Sequence, residues 1–242
     1  MTPERFRRAE ILFGESTYPI LRDACVVVCG VGAVGSFAVE ALARTGVGSF
    51  ELWDFDAVEE SNINRQICAL SSTIGRRKAE VMRERILDIN PEANIKIFPE
   101  FVCAENAARV VGASGAGRRV VIDAIDTLAA KVELILAAKA AGVAAVSSMG
   151  AARRTDPSRI MQADVMKTYG CPVAARVRKM LRQRGYSGGC KCVFSDEPIS
   201  DSTHVSSAAD GGKKIIGSCA IVAGTFGLRL ANLALGEILS RK

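Results

Sequence analysis

The sequence predicts an α/β fold: a Rossmann-like, mostly parallel sheet with helices on both faces, and a C-terminal α+β lobe added to it. Three observations carry that expectation. Short apolar runs alternate with longer amphipathic stretches through the first 150 residues. A glycine-rich turn, Gly30, Gly32 and Gly35, separates the first apolar run from the helix pattern after it. The alternation then breaks after Gly150, where the charge balance also changes.

Taken in chain order, Pro3 to Phe13 reads as a helix that ends near Gly14. "ACVVVCG" is a buried strand, "AVGSFAVEALARTG" a helix stopped at Gly46, and "SFELWD" a second strand. "GRRKAEVMRERILDIN" is a helix closed by Asn90-Pro91, followed by the strand "NIKIF" and a helix near Ala104–Val111. The strand "RVVIDAI", the long helix Leu128–Ala141 and the strand "VAAVSS" complete the alternation. Beyond Gly150, Asp156-Pro157 makes a turn, "RIMQADVMK" reads as a strand and "PVAARVRKMLRQRG" as a helix starting at Pro172. "SDSTHVSSAADGGKK" reads as a polar loop, and the last helix spans Ser218–Leu239.

With 242 residues, 49% of them hydrophobic and 24% charged, the chain fits one large domain with a sizeable core. Residues 1–150 form the expected core. Residues 151–242 form a basic lobe and C-terminal helix built on the same domain. The opening "MTPERFRRAEILFGE" carries charge throughout, unlike a secretory signal. The longest uncharged stretch, Ile215 to Leu228, is too short for a bilayer and reads as a buried or interface segment. Eight cysteines are too sparse for a disulfide scaffold, and Cys25, Cys29 and Cys68 sit in core-like runs. A cytoplasmic protein without membrane association is the expectation. The CxC of Cys190 and Cys192, with no CxxC, argues against structural zinc. Cys171, Cys190, Cys192 and Cys219 fall outside the expected strands, where exposure is open to them, and inert thiols are favoured over nucleophiles.

The net charge of +6 is unevenly spread. Between Gly150 and Cys192 ten Lys and Arg residues face two acids, a local +8 that leaves −2 for the rest of the chain. Local positive charge suggests a polyanionic partner. On a helical wheel from Pro172, Val173, Val177, Met180 and Leu181 share one face, while Arg176, Arg178, Lys179 and Arg182 occupy the other.

Gly30, Gly32 and Gly35 have the G-x-G-x-x-G spacing between a strand and a helix, which brings phosphates to the N–H groups of the helix end. Asp54 lies 24 residues after Gly30, placed to accept hydrogen bonds from ribose hydroxyls. A NAD-dependent oxidoreductase would need no more. It leaves "DFDAVEESNINRQ" unexplained, where Asp56, Asn62, Asn64, Arg65 and Gln66 gather, with Lys78 thirteen residues after Arg65. A triphosphate needs such added cations and polar donors. Asp126, at the carboxyl end of another strand, is placed to hold Mg²⁺ against phosphates. Arg65, Lys78 and Asp126 taken singly also fit surface charges or a helix cap.

The ordered set G-x-G-x-x-G, D-F-D-x-V-x-x-S-N-x-N-R-Q, K and D-x-x-D resembles the ThiF/MoeB/HesA superfamily, related to ubiquitin-activating enzymes. That resemblance implies adenylation of a carboxylate with ATP and Mg²⁺. It implies Asp54 at the ribose, Asn62, Arg65 and Lys78 at the phosphates, and Asp56, Asn64 and Gln66 lining the site. Asp126 would hold magnesium. It also implies a homodimer in which Arg8, from a helix similar to the family's R-Y-x-R-Q helix, reaches the neighbouring subunit's ATP. Here Ala9 departs from the final Gln.

Within the superfamily the chain resembles the tRNA threonylcarbamoyladenosine dehydratases. The matching segments include "NINRQICAL", "KAEVMRERILDINPEA", "TDPSRIMQADVMKT", "PVAARVRKMLR", "CVFSDE" and "GTFG". The resemblance implies that the substrate carboxylate is the threonyl arm of a modified adenosine beside the tRNA anticodon. It also makes Arg176, Arg178, Lys179 and Arg182 candidate tRNA contacts. The alternative within the superfamily is adenylation of the C-terminal glycine of a ubiquitin-like sulfur-carrier protein. A cysteine-desulfurase or sulfur-acceptor partner is known among such relatives. His204, the single histidine, lies in the polar loop and is disfavoured as a catalytic base.

Overall fold

The computed structural model describes residues 1–113, 118–199, 205–206 and 215–240. Seven strands form one sheet: β1 (Cys25–Cys29), β2 (Ser49–Trp53), β3 (Asn94–Phe98), β4 (Arg119–Asp123), β5 (Ala144–Ser148), β6 (Ile160–Asp164) and β7 (Lys191–Ser195). Their order is β3-β2-β1-β4-β5-β7-β6, parallel except for β6 against β7. The expectation of a mostly parallel α/β sheet holds. Because Cys25 pairs with both Ser49 and Arg119, β1, β2 and β4 end together at one edge. The order reverses between β1 and β4, and at such a switch point the carboxyl ends of the strands open a crevice.

The helices are α1 (Glu4–Phe13), α2 (Thr17–Arg22), α3 (Gly35–Thr45), α4 (Lys78–Ile89), α5 (Ala107–Val111), α6 (Leu128–Ala141), α7 (Pro172–Gln183) and α8 (Ala220–Ser240). Successive side chains of a strand point to opposite faces, so each central strand feeds two cores. Val26, Val28, Phe50 and Ile122 pack on one face with Leu42 of α3 and Phe226 and Leu230 of α8. Val27, Cys29, Trp53 and Val121 pack on the other with Val110 of α5, Leu134 of α6 and Val177 of α7.

The chain after Gly150 extends this same sheet at its edge with β6 and β7. β7 and the short α2 were not expected from the sequence. "RIMQADVMK" divides into β6 and a 3₁₀ turn, Val165–Lys167. α8 is long and apolar enough, by length and composition, to cross a membrane. Here Val222, Ala223, Phe226, Leu230, Ala234 and Ile238 are buried, whereas Ile221 and Leu228 are exposed. The uncharged segment from Ile215 therefore has one core face and one open face. Two-residue strands, β8 (Val205–Ser206) and β9 (Ile215–Ile216), pair antiparallel. His204 and most of the polar loop lie outside the described residues.

Candidate active site

The carboxyl ends of β1, β2, β4 and β5 frame a cleft of about 540 Å³. Its floor begins at the turn between β1 and α3. Gly30 has φ +85°, the left-handed region that favours glycine. A Cβ on Gly35 would meet the Gly30 carbonyl oxygen at 1.8 Å, so α3 can start that close to the turn only with glycine there. The carboxylate of Asp54 fixes the turn from the end of β2. Its Oδ2 accepts from the Val31 N–H at 2.8 Å and its Oδ1 from the Asp56 N–H at 2.9 Å. Each oxygen keeps a second lone pair for a ligand hydroxyl. Burial pushes the Asp54 carboxyl above its ordinary pKa, and the two backbone N–H groups offset only part of that rise.

The cations arrive from two directions. Lys78 opens α4, and its side chain is buried with Nζ 2.8 Å from Asp56 Oδ2. Arg65 comes from the loop after β2, its Nη1 donating to Ser61 O at 2.6 Å and Asn64 Oδ1 at 2.8 Å. Gln66 is buried beside Gly32. Asp126 lies in the turn between β4 and α6, exposed, with the Thr127 hydroxyl donating to it at 3.4 Å. Gly30, Gly32, Asp54, Asp56, Arg65, Gln66, Lys78 and Asp126 all line the one cleft.

Other expected residues lie elsewhere. Gly35 is packed under the turn. Asn62 is buried in the loop, where its Oδ1 accepts from the Glu59 N–H at 3.2 Å. Asn64 Nδ2 donates to Ser218 O at 2.9 Å, joining the loop to the segment before α8. Neither Asn is among the cleft's lining residues. Arg8 is exposed on α1, away from the cleft, on a helix whose Phe6 and Glu10 are buried.

On α7, Ala174, Val177 and Leu181 are buried while Arg176, Lys179 and Arg182 are exposed. Arg178 is half-buried and donates to the Thr168 hydroxyl. The helix begins beside the cleft, for Val173 lines it.

The cleft also takes in residues that sequence reasoning did not single out. Glu100, Phe101 and Val102 follow β3, and Ser148 ends β5 with Met149 to Ala152 after it. Their signal was positional only, since they too leave the carboxyl ends of parallel strands. Phe55 and Phe101 meet edge to face at 5.4 Å on the β3 side. Lys131 of α6, also in the lining, is fully buried.

Cys171, Cys190 and Cys192, for which the sequence leaves exposure open outside the expected strands, are all buried, and Cys192 lies within β7. Burial pushes the Cys192 thiol up to about 12 and the Cys68 thiol up to about 11. Cys219 is half-buried. Among the described residues there is no cluster of three or more His, Cys, Asp or Glu side chains that would hold a metal by themselves.

Comparisons with known proteins identify the family and the fold. The model of the ThiF family matches residues 6–241. The chain is 37% identical to the Escherichia coli tRNA threonylcarbamoyladenosine dehydratase over 98% of its own length and 94% of that protein's. It is 42% identical to the Bacillus subtilis protein of the same name, over 80% of this chain and 75% of the relative. The crystal structure of the E. coli enzyme, TcdA, in complex with ATP superposes with a TM-score of 0.86 at 36% identity, covering 98% of this chain and 94% of that one. A second E. coli TcdA structure, in complex with AMP, gives the same TM-score at 37% identity, with 98% and 95% covered. By sequence and by architecture, this chain belongs to the ThiF family.

Proposed function

We propose that the protein is an ATP-dependent tRNA threonylcarbamoyladenosine dehydratase. The observation that carries this reading is the convergence on one cleft of the glycine turn, Asp54, Arg65, Lys78 and Asp126. The chain that builds the cleft matches such dehydratases along nearly its full length.

In this reading the ribose of ATP sits against Asp54 and the triphosphate runs over the glycine turn toward Arg65 and Lys78. Asn62 and Asn64 hold the loop that carries Arg65. The threonyl carboxylate enters from the β5 side, past Gly150, Ala151, Ala152 and Val173, where the lining is small and apolar. A carboxylate oxygen attacks the α-phosphorus, and pyrophosphate leaves with the electron pair of the broken bond. A nitrogen or oxygen of the same ureido arm then attacks the activated carbonyl and expels AMP, losing its proton. The base has lost one water, whose oxygen departs in AMP. The protein's part is positioning and charge stabilisation, which needs no thiol; the raised Cys68 and Cys192 thiols are poor candidates for acyl transfer. A sulfur-accepting partner is therefore not required.

Asp126 suits magnesium. Mg²⁺ typically takes one or two carboxylates, with phosphate oxygens and waters completing its shell, and Asp126 is an open carboxylate in the cleft wall. When bound, the ion supplies charge neutralisation at the phosphates. The exposed cations of α7, beginning at the cleft mouth, form the tRNA face, and a second copy contributes Arg8 to complete the site in a cytoplasmic homodimer.

Incubation with MgATP and threonylcarbamoyladenosine-bearing tRNA tests the reading. The digested nucleoside should lose the mass of one water while AMP forms in equal amount. An unchanged nucleoside, with adenylation instead of a carrier protein ending in Gly-Gly, would replace tRNA by the carrier as substrate.

A further inference from the structure

The cleft wall that carries Asp126 is four residues long: Ala124, Ile125, Asp126 and Thr127, between the last residue of β4 and the first of α6. Both ends of that wall are tied to one buried ion pair. Lys131 Nζ lies 2.9 and 2.8 Å from the two oxygens of Asp123, and donates a third bond to Ser148 O at 2.8 Å. Those three bonds use the whole donor capacity of an ammonium group. Asp123 accepts further from the Ser147 hydroxyl and, at 3.3 Å, from the Ile125 N–H. The network thus joins the end of β4, the end of β5 and the start of α6.

Stability alone is a poor reason for such a pair. The side chains of Lys131 and Asp123 are each 1% exposed, so both charges are stripped of water. Apolar residues of similar volume often serve a core as well or better. Lys131 also sits near the N-terminal end of α6, where the helix dipole disfavours a cation. What an ion pair provides and an apolar pair does not is direction: fixed bonds that set three chain segments at one spacing. Among the described residues, Asp126 has little else to hold it: its side-chain bond is the long one from its neighbour Thr127.

We propose that the Lys131–Asp123 pair is the positioning device for Asp126, setting that carboxylate where it meets the magnesium-bound phosphates. The inference rests on the reading of Asp126 given above. The pair acts through the wall and not by touching the nucleotide, since the recorded bonds of Nζ all go to Asp123 and Ser148.

The test is a mutant cycle read by calorimetric ATP binding, with and without Mg²⁺. Its members are the wild type, Asp126→Asn, the charge-free pair Asp123→Asn with Lys131→Met, and the triple variant. Melting temperatures are recorded for all four. The pair variant should melt close to the wild type, lose at least tenfold in affinity for MgATP, and lose less than threefold for ATP without the metal. The triple variant should bind MgATP no more weakly than Asp126→Asn, because residues that act through one another do not add. Additive losses, or equal losses with and without metal, would make the pair a general support of the core and overturn the inference. If Asp126→Asn loses nothing, the magnesium reading itself fails. Should the pair variant not fold, Lys131→Arg takes its place. It keeps the charge but spreads its donors over three nitrogens, so the three bonds cannot converge on one atom, and the same contrast is expected. Wild-type MgATP binding by Lys131→Arg, or failure of both variants to fold, would equally sink the proposal.

Discussion

The cations of the cleft and those of α7 are held in opposite ways. Lys78 is buried, and its Nζ already pairs with Asp56 at 2.8 Å. Arg65 is pinned by Ser61 and Asn64. Arg176, Lys179 and Arg182 stand exposed along one helix face. A caged cation has given up its freedom and part of its water before the ligand arrives, so its field is spent on one geometry. An exposed row of cations gains chiefly by releasing counterions from a polyanion and demands little geometry. The difference teaches that the two regions, as proposed binding sites for phosphate-bearing ligands, would work by different physics. Substitutions in the two regions should leave different signatures.

The largest effect is expected in the cleft. Lys78→Ala and Asp126→Ala should each cost about 3 kcal/mol or more of transition-state stabilisation, roughly a hundredfold in rate, with the fold retained. Steady-state turnover on modified tRNA reads it. Near-normal turnover in both variants would erase the contrast, since the buried Lys78–Asp56 pair would then be structural and Asp126 an ordinary exposed carboxylate.

Reversing the exposed row comes next. Arg176, Lys179 and Arg182 changed together to Glu should weaken tRNA binding by more than about tenfold near 0.1 M salt and flatten its dependence on salt. ATP binding should not change. Arg178 is best left out, because it bonds to Thr168 and its loss would also disturb the 3₁₀ turn before α7. Filter binding across a salt series decides; a wild-type slope would mean the RNA docks elsewhere.

A subtler effect belongs to Arg8, which is exposed like the α7 row yet proposed to act inside a neighbour's cleft. Mixing Arg8→Ala with Lys78→Ala subunits should restore about a quarter of wild-type activity, because half the dimers are hybrid and one of their two sites is intact. No recovery after subunit exchange would return Arg8 to the surface class.

The smallest effect concerns pH. Burial raises the Asp54 carboxyl, so ATP affinity should start to weaken on acidification earlier than an ordinary carboxylate would allow. The same shift makes a stability contribution of opposite sense. It is fully present below the unfolded-state pKa and lost as pH rises through the raised folded value. Nucleotide titrations from neutral to mildly acidic pH should show the early weakening in the wild type and not in Asp54→Asn.

Much of this contrast was legible in the sequence, and the exceptions share a cause. Helix Leu128–Ala141 and strands β1 to β5 follow from apolar runs or apolar–polar alternation bounded by turn residues. β7 escaped because its five residues begin one residue after the Gly188-Gly189 pair, inside Cys190-Lys191-Cys192, so a short strand is hidden beside a turn signal. Asp54, Arg65, Lys78 and Asp126 were recognisable by their order along the chain. Lys131 was not, since a lysine in a helical pattern ordinarily faces water. Only the register of β4, β5 and α6 shows that it points at Asp123. The resemblance implies Asn62 at the phosphates and Asn64 in the site lining, but sequence spacing does not reveal which side of a tight loop an amide faces. Their recorded bonds go to the loop and to Ser218.

ATP–pyrophosphate exchange tests most directly the central claim that the cleft adenylates a carboxylate presented on RNA. It is measured with threonylcarbamoyladenosine-modified tRNA, the same tRNA unmodified, and a carrier protein ending in Gly-Gly. The account predicts exchange with modified tRNA alone, abolished by Lys78→Ala and strongly reduced by the α7 triple reversal at moderate salt. Exchange driven by the carrier protein, or equally by unmodified tRNA, would contradict it.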